Sequence, residues 1–186
     1  EWPCSKDELK AMHLEMVNRN KLAEGWIYMQ ITRGAADRDF KFPKGVKPTL
    51  IAFTQAKKLV DNPDAVKGVS VITIPDIRWV RRDIKTVNLL APVLGKQAAY
   101  EAGAFEAWMI EDGKVTEGTS SNAYIVKDGK VITRGLSNNS LAGCTRRALF
   151  RLAQEHHVVI EERSFTAEEA YDADEAFLTS ASNFVM

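Results

Sequence analysis

"KVTEGTSSNAYIVKDGK", residues 114 to 130, sets a carboxylate, a glycine, three hydroxyls and an amide between two segments that read as β-strands. The second strand turns at Asp128-Gly129, a pair suited to the left-handed backbone of a two-residue type I′ hairpin. The stretch just before it, "EAWMIEDGKVTEG" at 106–118, has the same grammar with Asp112-Gly113 at its turn. Two adjoining hairpins imply antiparallel sheet, and the polar run 117–122 falls where one hairpin passes to the next. A glycine at 118 lets the backbone leave the ladder by a bulge or sharp bend and re-aim the side chain before it. Glu117 therefore reads in two ways. It is either a solvent-facing strand end followed by ordinary turn formers, or a carboxylate directed at a site.

Working outward, "NLLAPVLGKQAAYEAG" (88–103) carries Leu and Ala at helical spacing and stops at Gly103. "VSVITIPDIRW" from Val69 reads as a strand. Downstream come a helix in "TRRALFRLAQEHH", a strand in "VVIEERS", a capping box at Thr166–Glu169 and a last strand in "EAFLTSAS". Toward the start, Ser5 and Glu8 form a capping box for a helix over 6–19. Strands at 26–34 and 49–55 then flank the loop "AADRDFKFPKGVKP". Asn62-Pro63 breaks the pattern, which predicts a first domain over 1–60, a linker over 61–68 and a larger domain over 69–186. Strands and helices mix without strict alternation, an α+β arrangement.

Hydrophobic residues make up 45% of the 186, enough apolar material for a real core. Lys plus Arg and Asp plus Glu each number 25, so no basic excess favours nucleic acid or an anionic membrane. No apolar run approaches the roughly 20 residues of a membrane span, and no signal segment is seen. Cys4 and Cys144 lack CxxC spacing. That argues against a metal site or disulfide framework and suits a reducing cytoplasm. The chain begins at Glu1 without a methionine and is expected to be a fragment or processed piece.

Three further groups carry chemistry. Lys85 in "RRDIKTVNLL" sits between Ile84 and Val87 in a stretch leading into an apolar helix. It is either a snorkelling surface lysine or an ammonium carried inward, where desolvation favours the nucleophilic amine. Gly143, Cys144 and Thr145 stand at the mouth of a helix, where free amides and the dipole favour an anion such as phosphate. Thr145 would equally serve as an ordinary N-cap. Ser180 and Ser182 follow a strand and either donate to the same anion or make a turn. An amine, a carboxylate and a phosphate cradle are what a protein supplies to pyridoxal phosphate.

With these motifs in order, "YMQITRGAADRDFKFP", "DIKTVNLL" with "KQAAYEAGAFEA", "VTEGTSSNAYIV", "LAGCTRRAL" and "AFLTSAS", the sequence resembles the fold type IV pyridoxal-phosphate enzymes, most closely the D-amino acid transaminases. The resemblance implies the two-domain fold of branched-chain aminotransferases, with the first part of the small domain missing and the large domain incomplete at its end. It implies that Lys85 forms the Schiff base and moves a proton, and that Glu117 pairs with the pyridine nitrogen, keeping the ring protonated as an electron sink. Cys144, Thr145, Ser180 and Ala181 match residues near the phosphate, with a family hydroxyl replaced at Ala181. Leu141 matches the residue against the ring, Ser120, Ser121 and Asn122 the cofactor-site loop, and Arg78 a supporting position. Arg38 matches an arginine that traps the substrate carboxylate, while Phe40 stands where well-known members have histidine. The resemblance further implies that the family's main phosphate-binding arginine and an active-site tyrosine are to be expected upstream of Glu1.

The implied function is a ping-pong exchange of an amino group between a D-amino acid such as D-alanine and a 2-oxo acid such as 2-oxoglutarate, in a homodimer. A branched-chain L-amino acid transaminase and an aminodeoxychorismate lyase are the alternatives within the fold. "EGTSSN" leans toward the D-specific group. A non-catalytic binding domain on the same scaffold is the alternative outside it.

Overall fold

Ser5 opens α1 (Lys6–Arg19): its hydroxyl accepts from Glu8 N at 3.2 Å and the Glu8 carboxylate accepts from Ser5 N at 2.8 Å. The computed structural model describes residues 2–186 in two units, the first ending at Asn62 and the second running Pro63–Met186. In the first unit β1 (Gly25–Thr32) and β2 (Thr49–Ala56) pair antiparallel along their whole length. Tyr28 stacks on Phe53 across that pair, with centroids 4.9 Å apart. The loop 33–48 between them has no regular structure.

The second unit begins with the short helix α2 (Pro63–Lys67), within the segment 61–68 expected from sequence to be the linker. It continues through β3 (Val71–Pro75), α3 (Leu90–Glu101), β4 (Glu106–Glu111), β5 (Lys114–Gly118), β6 (Asn122–Lys127) and β7 (Lys130–Thr133). Then come α4 (Cys144–Glu155), β8 (Val159–Glu162), α5 (Ala167–Tyr171), β9 (Glu175–Ser180) and β10 (Phe184–Val185). Three strands form one sheet in the order β3-β4-β5, and five form another in the order β10-β9-β6-β7-β8. The two parallel pairings, β3 with β4 and β7 with β8, are the ones bridged by α3 and α4, because parallel neighbours need a long crossover. Both hairpins turn as the Asp-Gly pairs require, with φ of 50° and 71° at Asp112-Gly113 and again at Asp128-Gly129. Among the described residues no helix is long and apolar enough to cross a membrane.

Trp108, Val115, Ala123, Ile125, Ile132 and Phe165 form the core, drawn from both sheets. The Phe165 ring meets Trp108 edge-on at 5.9 Å, and its carbonyl accepts from Val115 N at 2.9 Å. The residue between β8 and α5 thus fastens the smaller sheet to the larger. Helix α3 buries Gly95 and Ala99. A Cβ at 95 would come within 2.5 Å of Ile74 Cδ1 and 2.8 Å of the Thr119 methyl, so absence of a side chain sets how closely the helix approaches the sheet.

A buried ion network anchors the irregular segment after β3. Arg78 grips Asp76 with two bonds, Nε to Oδ1 at 2.9 Å and Nη2 to Oδ2 at 2.7 Å, and Thr116 donates to Asp76 Oδ2 at 2.6 Å. Arg82 lies 3.5 Å from the same Oδ2 and pairs with Glu111 through both terminal nitrogens. Burial works to raise the Asp76 carboxyl, but the hydrogen bonds from Arg78 and Thr116 outweigh it and hold the group below its ordinary range. A carboxyl depressed on folding stabilises fully above its unfolded pKa of about 4, and that contribution disappears as pH falls through the lower folded value.

Two outcomes are expected from unfolding curves. Phe165→Ala should cost about 3–5 kcal/mol through the cavity it leaves. Asp76→Asn should cost about 3 kcal/mol at pH 7, as for a buried pair broken from one side, with the difference from wild type shrinking below about pH 4. An equal loss at pH 3 and pH 7 would mean that the charge on Asp76 contributes nothing.

Candidate cofactor site around Glu117

Trp108 pairs with Gly118 and Ile110 with Val115, so Thr116 and Glu117 together oppose the single residue Met109. This two-against-one register is a β-bulge. The interruption expected at Gly118 therefore falls on the two residues before it, and it turns Glu117 inward, where 4% of the residue remains exposed. The reading of Glu117 as a solvent-facing strand end is excluded by that burial.

Each oxygen of the buried carboxylate has a donor. Arg78 Nη1 donates to Oε1, while Asn122 Nδ2 and Leu141 N both donate to Oε2 at 3.1 Å. Burial pushes the Glu117 carboxyl above its ordinary range, against the attraction and hydrogen bond of Arg78 and the Leu141 amide. Arg78 divides its guanidinium between Glu117 and Asp76, and the nearby Asp76 charge adds to the effect of burial.

The cluster continues into the start of α4. Asn122 Nδ2 also donates to Leu141 O at 3.0 Å, and Gly143 N donates to the same carbonyl at 2.9 Å. Gly143 is the N-cap of α4, with no side-chain cap. A Cβ there would stand 2.4 Å from Asn122 Oδ1, so the close approach of Asn122 demands glycine. Thr145 is not the N-cap; its hydroxyl donates instead to Ser180 O at 2.9 Å and ties the helix start to the end of β9. Cys144 Sγ is exposed, 4.0 Å from Thr145 Oγ1, and Ser180 Oγ accepts from Asn183 N at 3.1 Å. Ala181 follows, exposed.

Arg78, Glu117, Asn122 and Leu141 thus form one hydrogen-bonded group, and Thr145 meets Ser180 in a second, joined to the first through Leu141 and Gly143. The Ser120 and Ser121 hydroxyls turn elsewhere, each donating to Glu106 Oε2 at 3.1 Å. Lys85 departs from expectation. It is exposed, and the apolar neighbours Ile84 and Val87 are 43% and 68% exposed. The segment 76–89 has no regular element to bring an apolar layer over it, so the inward burial expected of its ammonium is not found. In the first unit Arg38 is exposed and its guanidinium lies 5.3 Å from the Phe40 ring centroid. That ring is 93% exposed and makes a cation–π contact with the guanidinium.

Sequence reading missed Glu106 and Asp76. Asp76 sits two residues before the arginine it holds, a spacing visible in "PDIR". Glu106 is a charged residue in the otherwise apolar run "FEAWMI", with hydroxyls at 119–121 two strands on. Only the sheet register shows that these face each other.

Comparison with known proteins places the whole chain in one family. The amino-transferase class IV family matches residues 1–186. A D-alanine aminotransferase of Bacillus licheniformis is 42% identical over 178 residues, covering 95% of this chain and 62% of the relative. One from Staphylococcus aureus (strain N315) is 39% identical over 181 residues, covering 96% and 63%. The chain therefore spans less than two thirds of the length of these relatives. Among solved structures, a T.th. branched-chain amino acid aminotransferase with pyridoxamine 5'-phosphate superposes with a TM-score of 0.86 at 26% identity, over all of this chain and 63% of that one. The Escherichia coli branched-chain amino acid aminotransferase gives 0.88 at 24%, over all of this chain and 64% of that one, a likeness of fold. The buried carboxylate in its bulge, the helix start beside it and the match along the whole sequence lead to one conclusion: the chain belongs to the amino-transferase class IV family.

Proposed function

We propose that the protein carrying this chain is a pyridoxal-phosphate transaminase that moves the amino group of a D-amino acid, such as D-alanine, to a 2-oxo acid, such as 2-oxoglutarate. The observation that carries the cofactor assignment is the donor count at Glu117. An ionised carboxylate offers about four lone-pair positions, and the protein fills three, from Arg78, Asn122 and Leu141. One acceptor position is left on a buried carboxylate that shares Arg78 with Asp76, and a protonated ring nitrogen supplies both a donor and positive charge. The residues present therefore fit pyridoxal phosphate. When bound, that cofactor supplies an electron sink for the carbanion formed as the substrate Cα loses its proton.

The chain's own residues have separate tasks in this reading. Glu117 holds the ring nitrogen proton, stabilised as an anion by Arg78 and the Leu141 amide. The start of α4, with Cys144 and Thr145, and the end of β9, with Ser180 and Ala181, would receive the phosphate. Thr145 would act there through its backbone and its hold on Ser180, since its hydroxyl is already donated. Lys85 Nζ would bind the cofactor covalently and, once displaced by the substrate amine, carry the Cα proton as a free amine. Arg38 would take the substrate carboxylate, with the Phe40 ring beside its guanidinium. The D-amino acid assignment rests on the relatives named D-alanine aminotransferase and on "EGTSSN". A homodimer, a cytoplasmic setting and the division into domains over 1–60 and 69–186 belong to the same proposal.

Absorbance and half-reaction kinetics on the intact protein test it. Pyridoxal phosphate should give a band near the visible edge that borohydride abolishes and that Lys85→Ala lacks. A spectrum indifferent to that substitution would point instead to a binding domain. Glu117→Ala should keep the band and slow the half-reaction with D-alanine by about 10²–10³-fold, the scale of a lost preorganised electrostatic partner. D-alanine should react faster than L-leucine or (R)-1-phenylethylamine; a preference for L-leucine would transfer the assignment to the branched-chain enzymes.

A further inference from the structure

Glu106, the first residue of β4, is 1% exposed and none of the steps above uses it. Its Oε1 accepts from Ala107 N at 2.9 Å and from the Thr119 hydroxyl, and its Oε2 accepts from the Ser120 and Ser121 hydroxyls at 3.1 Å each. Lys96 Nζ stands 3.7 Å from Oε1. Four donors fill the acceptor positions of a carboxylate, so Glu106 has no direction left for a ligand. Its effect lies in what it holds.

It holds three consecutive residues of the turn between Glu117-Gly118 and Asn122. That turn is closed by Gly118 N donating to Ser121 O at 2.7 Å and by Thr119 N donating to Ala107 O at 3.1 Å. A sequence of four small residues has many accessible turn conformations. A buried acceptor-only group selects the one in which all three hydroxyls point the same way. The packing leaves little slack: a Cβ at Gly118 would lie 2.1 Å from Ser121 Oγ and 3.2 Å from Glu106 Cγ. The two ends of the turn are the residues that meet at the candidate site, where Asn122 must reach Glu117 and Leu141 together.

We propose that Glu106 is a positioning residue that fixes the 118–121 turn and, through it, sets the Glu117–Asn122 contact against the cofactor's ring nitrogen. This rests on the pyridoxal-phosphate reading of the site, so the experiment separates the two. In the intact protein without cofactor, amide hydrogen exchange is compared between wild type and Glu106→Gln, which keeps the side chain's size but replaces half of its acceptor with a donor. Exchange at Gly118 and Thr119 should speed by about tenfold or more, the scale of hydrogen bonds to a charged group, while Tyr124 to Val126 in β6 stay unchanged. With pyridoxal phosphate added, the pH midpoint of the bound cofactor's absorbance should shift, because the imine nitrogen it follows is coupled through the conjugated ring to the nitrogen facing Glu117, which a general loss of stability would not move. Thr119→Val, which removes one donor at nearly constant shape, should show both effects in smaller measure, and Thr119→Ser should restore the exchange rate. This pair decides the matter if Glu106→Gln does not fold. Unchanged exchange at 118–119, or faster exchange with an unmoved absorbance midpoint, overturns the role of Glu106. A wild-type protein that takes up no pyridoxal phosphate overturns the functional reading and, with it, the ring-nitrogen part of this inference.

Discussion

Burying the Glu117 carboxylate is the constraint from which the second unit is arranged. A charge removed from water is unfavourable unless donors replace the solvent, and three reach it from three different parts of the chain: Arg78 after β3, Asn122 at the start of β6 and Leu141 before α4. Meeting that requirement fixes where the strand must bulge, where the next strand must begin and where the helix must enter. Arg78 is itself kept in place by Asp76, which Thr116 and Arg82 hold in turn. Polar groups in a low-dielectric interior reinforce one another in this way when all are satisfied.

Two buried glutamates eleven positions apart illustrate how environment divides labour between identical side chains. Glu106 is saturated by Ala107, Thr119, Ser120 and Ser121 and is closed to anything from outside. Glu117 keeps one acceptor position and shares Arg78 with Asp76. The difference follows from where each sits on the smaller sheet, Glu106 at the first residue of β4 and Glu117 in the bulge of β5. A hydroxyl-rich connection joins their surroundings.

Local chemistry was the legible part of the sequence. Both Asp-Gly turns, the capping boxes at Ser5 and Thr166 and the stop at Gly103 depend on a few neighbouring residues, and the structure has all of them. The hidden parts depend on partners distant in the chain. The bulge at Thr116–Glu117 is a matter of register with Met109, and periodicity cannot supply register. Thr145 has every property of a cap, yet Ser180 O, thirty-five residues away, takes its hydroxyl. Lys85 has apolar neighbours in sequence, but burial is decided by what packs over a segment, and Ile84 and Val87 are exposed too. Glu106 was overlooked because a lone glutamate at a strand start carries no signal until the facing turn is known. Leu141 came to notice only through the family resemblance, and it is the residue whose backbone N donates to Glu117.

Gly118 and Gly143 are glycines for a reason other than backbone conformation, since neither lies in the left-handed region. The space a methyl group would take at each is already filled, by Ser121 Oγ in one case and Asn122 Oδ1 in the other. Acceptability at 118 is therefore conditional on what occupies 121, and at 143 on what occupies 122. Such pairs are epistatic: a lineage gains a side chain at either glycine only where its neighbour has shrunk or turned aside and given up its hydrogen bonds, so the order in which mutations arrive decides which sequences this fold can reach.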